Sequence, residues 1–203
     1  VPARPRGRPP ASSREAIEET AIDLFLEHGY EQTTIAMITA ACGIGRTTLF
    51  RYYRSKADIV WSAFNEHTEH LRRILAASHP GSPTMTAVRV AVVEALATSI
   101  DSRGIWMKRF QILDTSAVLR SEESAQWTSW ADAIAGFVAE DAGLEPAGVV
   151  PQAIGGAVQA AFLAVLRGWR GIPNPDGRLL PRLDDDLRGL CDALQVWLAG
   201  TGR

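Results

Sequence analysis

The sequence predicts an all-α fold of about nine helices, and three observations carry that expectation. Apolar residues recur every three to four positions through almost the whole chain, whereas alternating β-branched runs are missing. The interruptions are proline and glycine clusters, notably His79-Pro80-Gly81-Ser82-Pro83 and residues 171–181, which break helices without starting strands. The 203 residues, 46% of them hydrophobic, can bury a core in one large or two small domains.

Residues 4–10 read RPRGRPP, and Arg6-Gly7-Arg8-Pro9 has the form of an AT-hook. Proline and glycine keep such a segment thin, so Arg6 and Arg8 could enter a narrow A·T minor groove. The plainer alternative is a basic tail that raises nonspecific affinity. Residues 1–11 are expected to form a flexible arm. The first helix should begin at about Ser13, with Ser12-x-x-Glu15 as a capping box and Ile17, Ala21, Leu24 and Phe25 as its apolar stripe. Gly29 ends it. Its acids, Glu15, Glu18, Glu19, Asp23 and Glu27, read as a solvated face turned away from DNA.

The segment TTIAMITAACGIGRTTLFRYYRSK, residues 33–56, spells a short helix, a glycine turn and a second short helix. Thr33 or Thr34 caps the first, and Ile35, Ile38, Ala41 and Cys42 give it one buried face. Gly43 supplies the left-handed turn, and the second helix runs from near Gly45 to about Tyr53 with Leu49 and Tyr53 inward. That is the layout of a helix-turn-helix, whose second helix enters the major groove. Arg46, Thr47, Thr48, Phe50 and Arg51 then face the bases. Arginine can bind guanine bidentately, and threonine or phenylalanine can pack on a thymine methyl. Tyr52, Arg54 and Lys56 suit phosphates, and Ser55 to Asp58 is spaced to cap a long helix from Lys56 whose first amides would add a phosphate site.

Charge agrees with that division. The net charge is only −2, yet Gly43 to Trp61 holds Arg46, Arg51, Arg54 and Lys56 against one acid, Asp58. Together with the arginine arm this makes one basic face on a mildly acidic chain, as suits contact with nucleic acid through a single surface.

Thr33, Thr34, Ile38, Ala41, Gly43, Ile44, Thr48, Leu49, Phe50, Tyr52, Tyr53, Ser55 and Lys56 together resemble the DNA-binding domain of the tetracycline-repressor (TetR) family. The resemblance covers about the first quarter of the chain. It implies a helix-turn-helix domain over residues 12–55, and it makes Thr33, Tyr52 and Lys56 phosphate contacts and residues 45–51 base-facing. Gly45 and Thr47 depart from the family's usual serine and glycine, so no operator sequence transfers.

Residues 56–203 are expected to form a helical ligand-binding and dimerisation domain. After the helix from Lys56, helices are expected at about Thr84–Ser99 and Gly104–Leu113, from a cap at Ser121 to Asp141, at Val150–Arg170 and at Leu183–Leu198. Five of the six tryptophans lie beyond position 100, with Trp61 at the junction. Large aromatics make ordinary cores, but they also line apolar ligand cavities. The family resemblance puts a pocket among the middle helices, which makes Trp61, Phe64, Trp106, Met107, Phe110, Trp127, Trp130 and Phe162 candidate lining residues and Gln111, Asp114 and Gln159 candidate polar anchors. The segments GIGRTTLFRYYRSKADIVW, FNEHTEHLRRIL and WTSWADAIAGFVAEDAG are similar to regulators associated with mycofactocin gene clusters. That similarity implies an acyl-CoA effector, for whose phosphates Arg103, Lys108 and Arg109 could form a basic entrance.

Ala153, Gly155, Gly156, Ala157, Ala160 and Ala161 permit close helix approach, and Leu183, Leu187, Leu190, Leu194 and Trp197 form a stripe on the last helix. Such surfaces occur inside monomers too, but in TetR-like proteins the last two helices make the homodimer. The reading is therefore a repressor of a double-stranded DNA operator, released by a hydrophobic small molecule. Two rivals stand beside it: an architectural DNA binder without ligand, and a small all-α enzyme using the aromatic pocket. No nucleophile elbow, Walker loop or GxGxxG favours an enzyme. His67 and His70 are spaced as a metal pair but lack a third ligand, so solvent-exposed polar residues are the simpler reading and neither metal nor cofactor is expected. Cys42 reads as a small core residue. No apolar signal follows the basic N-terminus, and Ala153–Leu166 is short for a bilayer, so a cytoplasmic protein without membrane contact is expected.

Overall fold

The computed structural model describes residues 13–78, 81–100, 104–169 and 178–201, with the side chains of residues 121–124 left aside. Among the described residues there are nine α-helices and no strand: α1 (Arg14–His28), α2 (Ile35–Cys42), α3 (Arg46–Tyr52), α4 (Lys56–Ala76), α5 (Thr84–Ser99), α6 (Ile105–Thr115), α7 (Ala117–Ala142), α8 (Val149–Gly168) and α9 (Leu179–Thr201).

Local chemistry explains most ends. Ser13 caps α1 by accepting from the Ala16 amide at 3.2 Å. Ser12, the cap expected from the sequence, lies outside the described residues. Thr34 caps α2 through the Met37 amide at 3.2 Å, and Gly43 closes that helix at φ 65°, ψ 32°, where a side chain would be strained. The Ser55 hydroxyl accepts from the Asp58 amide at 3.0 Å at the start of α4. The cap of α7 differs from expectation. It is Ser116, whose hydroxyl takes the Leu119 amide at 3.2 Å, so α7 begins four residues ahead of Ser121. The last helix also starts early, at Leu179, because Pro181 falls in its first turn, where a missing N–H costs nothing.

The chain divides into two compact units, and the division does not follow the expected break at residue 56. Unit 1 holds residues up to Ala63 together with Lys108–Arg120, and unit 2 holds Phe64–Met107 and Ser121–Arg203. In unit 1, α1 packs on α2 and α2 on α3, around Ile17, Ile22, Phe25, Ile38, Leu49 and Tyr53. The end of α6 joins this unit through polar pairs. Arg109, 4% exposed, pairs with Glu18, while Lys108 reaches Asp23 at 2.7 Å. The acidic face of α1, expected to be simply solvated, therefore carries two internal ion pairs.

In unit 2, α9 packs along α5 and α8. Gly155 faces α7 so closely that a β-carbon there would stand 2.5 Å from the Ala131 carbonyl oxygen. By length and composition α8 could cross a bilayer, at 20 residues and mean hydropathy 1.7, more than its Ala153–Leu166 portion suggested. Its Ile154, Val158, Phe162 and Leu166 face is buried within unit 2.

Candidate nucleic-acid interface and effector site

The helix-turn-helix geometry follows from what α3 hides and shows. Leu49 and Tyr53 are 0% and 1% exposed, and the Tyr53 hydroxyl donates to the Arg14 carbonyl at 3.2 Å, which fixes α3 against α1. The opposite face leaves Arg46, Thr47, Phe50 and Arg51 exposed and Thr48 half-buried, and these five side chains line one shallow concavity. The Arg46 guanidinium lies 5.8 Å from the centre of the Phe50 ring. Arg51 lies 5.0 Å from that of Tyr52 and donates to its hydroxyl at 3.3 Å. Stacking on aromatics holds both guanidiniums while leaving their donor edges free to turn toward a base or phosphate. Gly45, at the α3 N-cap, is exposed, and so is Thr34. Arg6 and Arg8 lie outside the described residues.

Two expected phosphate contacts, Thr33 and Lys56, are engaged within the chain itself. Thr33 is fully buried, and its hydroxyl lies against two carbonyls of the α1 end, Gly29 at 2.8 Å and Leu24 at 3.1 Å, so it locks the α1–α2 turn. Lys56 is turned inward: its ammonium donates to the carbonyls of Tyr30 at 2.7 Å and Thr33 at 2.9 Å, approaches that of Glu31 at 3.5 Å, and lies over the Tyr30 ring. An ammonium has three N–H donors, and all three are engaged. Burial lowers its pKa, partly opposed by the nearby Glu31 charge. The N-terminus of α4 is also not an open anion site. The Asp58 carboxylate occupies its first turn, accepting from the Arg54 amide at 2.8 Å. Tyr52 and Arg54, whose side chain is 92% exposed, remain as outward groups beside α3.

The candidate effector residues separate between the two units. Trp61, Phe110, Gln111 and Asp114 belong to unit 1. Phe64, Trp106, Met107, Trp127, Trp130, Gln159 and Phe162 belong to unit 2, where a cluster of six ring side chains is built around a residue read from the sequence as polar surface, His67. His67 is 2% exposed, with ring centres at 5.6 Å to Trp106, 6.1 Å to Phe162 and 6.3 Å to Phe64. Phe64 meets Trp127 edge-on at 4.4 Å, and Trp130 stacks on the Phe162 ring at 5.0 Å. Gln159, expected as a free polar anchor, donates to the Trp127 carbonyl at 2.5 Å. The expected basic entrance also dissolves, since Lys108 and Arg109 are committed to Asp23 and Glu18 and Arg103 lies outside the described residues.

Spacing held a signal for His67. It stands three residues after Phe64 and four before Leu71, inside the apolar stripe of α4. Burial pushes the imidazole pKa from 6.5 down to about 4, so the ring is neutral at pH 7. Among the described residues no cluster could hold a metal ion.

Comparison with known proteins decides the class. Residues 17–62 match the bacterial regulatory proteins of the tetR family, and residues 82–195 match the MftR C-terminal domain, which covers more than half of the chain. The chain is a TetR-family transcriptional regulator. It is 30% identical over 164 residues to the mycofactocin biosynthesis transcriptional regulator MftR of Mycobacterium tuberculosis, spanning 80% of this chain and 82% of that protein. It is 24% identical over 123 residues to the HTH-type transcriptional repressor AcnR of Corynebacterium diphtheriae, spanning 55% of this chain and 65% of that one. Its fold is shared with Thermus thermophilus FadR, a repressor solved in complex with lauroyl-CoA, at a TM-score of 0.53 and 22% identity over 87% of this chain and 92% of that one. The family is one of regulators, so the enzyme alternative falls away.

Proposed function

We propose that this regulator is a homodimeric repressor that works on DNA in the cytoplasm and leaves a palindromic operator when a hydrophobic small molecule binds unit 2. The observation that carries the reading is the exposed α3 face of Arg46, Thr47, Phe50 and Arg51 over a buried Leu49 and Tyr53. Arg46, Thr47, Thr48, Phe50 and Arg51 would read bases, Gly45 would allow close approach, Thr34, Tyr52 and Arg54 would meet phosphates, and Arg6 and Arg8 would enter the neighbouring minor groove. A twofold dimer would present two α3 helices to half-sites about 34–36 Å apart. The repressor activity named for AcnR and FadR favours repression over an architectural role, and the lauroyl-CoA of FadR makes acyl-CoA one candidate effector class. The division between units falls within α4, α6 and α7, so three helices are available to carry a change from unit 2 to unit 1. A coupling of about 1–3 kcal/mol would lower operator affinity roughly 5- to 150-fold.

The test is selection of a tight duplex from a random pool, followed by anisotropy titrations against salt. Arg46→Ala is expected to erode discrimination at one base pair by about 1–3 kcal/mol, whereas Arg54→Ala weakens all duplexes alike and reduces the salt slope by about 1. Failure of the wild-type protein to select any sequence, or identical behaviour of the two variants, contradicts these assignments.

A further inference from the structure

Among the described residues, the ring cluster of unit 2 contains a buried acceptor with no donor facing it. Ser99 donates its hydroxyl hydrogen to the Ala95 carbonyl at 2.9 Å, and its oxygen lies 2.8 Å from His67 Nδ1. With that hydrogen committed, Nδ1 must carry the imidazole proton and donate, which leaves Nε2 as a bare lone pair. The Ala95 carbonyl also draws on the imidazole N–H, in agreement with this tautomer. Among the described residues Nε2 has no hydrogen-bond partner, and it is buried on a ring surrounded by Phe64, Trp106 and Phe162. One more polar atom of the cluster is in the same condition: the indole Nε1 of Trp130, on the residue stacked against Phe162.

Buried polar groups left unpaired are costly and rare, and they are commonly completed by a water or a ligand. A water here would need two or more polar partners within an aromatic wall. A ligand brings its own apolar surface to that wall and needs to supply only the missing donor.

We propose that the effector is a neutral, largely apolar molecule bearing a hydroxyl or amide N–H, and that His67 Nε2 accepts its hydrogen bond. The inference rests on the reading that unit 2 binds a hydrophobic effector, and it adds a chemical requirement. A neutral imidazole with Nδ1 committed repels a carboxylate rather than binding it. An acyl chain and its thioester carry no N–H or O–H, so in an acyl-CoA only the pantetheine amides or hydroxyl could supply the donor, and its charged phosphates set that class apart from a neutral effector. The Trp130 indole N–H would favour ligands that also hold an acceptor.

An isosteric pair tests this directly: 1-nonanol and octyl methyl ether contain the same number of heavy atoms and differ in one O–H. Both are titrated into the full chain, with octanoyl-CoA as a third probe, and read by tryptophan emission and melting temperature. The wild type is expected to bind the alcohol about tenfold more tightly than the ether, the worth of one hydrogen bond. In His67→Phe the ratio falls to about one while ether affinity changes less than about threefold, and His67→Gln, which keeps an acceptor oxygen, retains part of the preference. Equal binding of alcohol and ether by the wild type overturns the inference even if no variant folds. A preference that survives in His67→Phe, or binding of octanoyl-CoA alone, overturns it too and leaves the effector reading standing. If none of the three probes alters emission or melting, the effector reading fails and takes this inference with it.

Discussion

Lys56 illustrates how a residue's type can be plain while its task is hidden. A lysine just after the recognition helix suits a phosphate, and the family resemblance says the same. In the structure, the carbonyls of Tyr30, Glu31 and Thr33 compete for that ammonium and win. They belong to the turn after α1, whose Thr33 hydroxyl is likewise turned inward to Leu24 and Gly29. No local pattern announces the role of Lys56, because its partners are 23 to 26 residues away and are backbone atoms. His67 was hidden for another reason: its neighbours Glu66 and Glu69 are exposed, so the local composition looks solvated although the helical register points it inward. For Lys56→Met we expect a loss of about 1–3 kcal/mol, because the three carbonyls lose their donor. Thermal melting would record a drop of several degrees, while the salt slope of DNA binding stays that of the wild type. A variant that melts normally but loses one unit of salt slope would return Lys56 to the phosphates.

At the scale of elements, the sequence was readable wherever helix chemistry is local. Thr34, Gly43 and Ser55 perform the capping and turning that their residue types suggest, and α5 occupies Thr84–Ser99 as its apolar spacing predicts. The corner between α6 and α7 departs from its local pattern because its organisation is long-range. Ser116 caps α7 and at the same time donates to Glu31 at 2.6 Å, a partner 85 residues away. The Ser116 hydroxyl, with further help from backbone amides, holds the Glu31 carboxyl below its usual range. The same reach across sequence pairs Arg109 with Glu18, which is why this corner belongs to unit 1 rather than to the body. Removing the hydroxyl in Ser116→Ala is expected to cost about 1 kcal/mol through the lost cap. A double-mutant cycle with Glu31→Gln separates the second function. Non-additive melting free energies are expected if the Glu31 link stabilises unit 1, and strict additivity would reduce Ser116 to a helix cap.

For the whole molecule, the decisive property is what α8 and α9 leave uncovered. Self-association was expected to use the leucine stripe of the last helix, but Leu183 and Leu187 are 0% exposed within a single copy, where α9 meets α5 and α8. Gly155 is also spent internally, against Ala131. The face that remains open carries Ala153, Gly156, Ala157, Ala160 and Ala164 on α8, and Gly189, Ala193, Val196 and Trp197 on α9. Val196 is 76% and Trp197 41% exposed, an unusual cost for a lone chain and an ordinary one for the centre of a helix-pair interface. Small residues spaced four and three apart let two backbones approach, so a long charged side chain in the middle of that row should part them. Ala160→Arg is therefore expected to sediment as a monomer with its helical circular dichroism intact. Because two linked heads gain about 100- to 10,000-fold over one, the variant should lose at least 100-fold in affinity for a two-half-site duplex, while a single half-site is bound as weakly as before. An Ala160→Arg protein that still sediments as a dimer would move the interface to another face, and one that is monomeric yet binds the full operator unchanged would remove pairing from the basis of recognition.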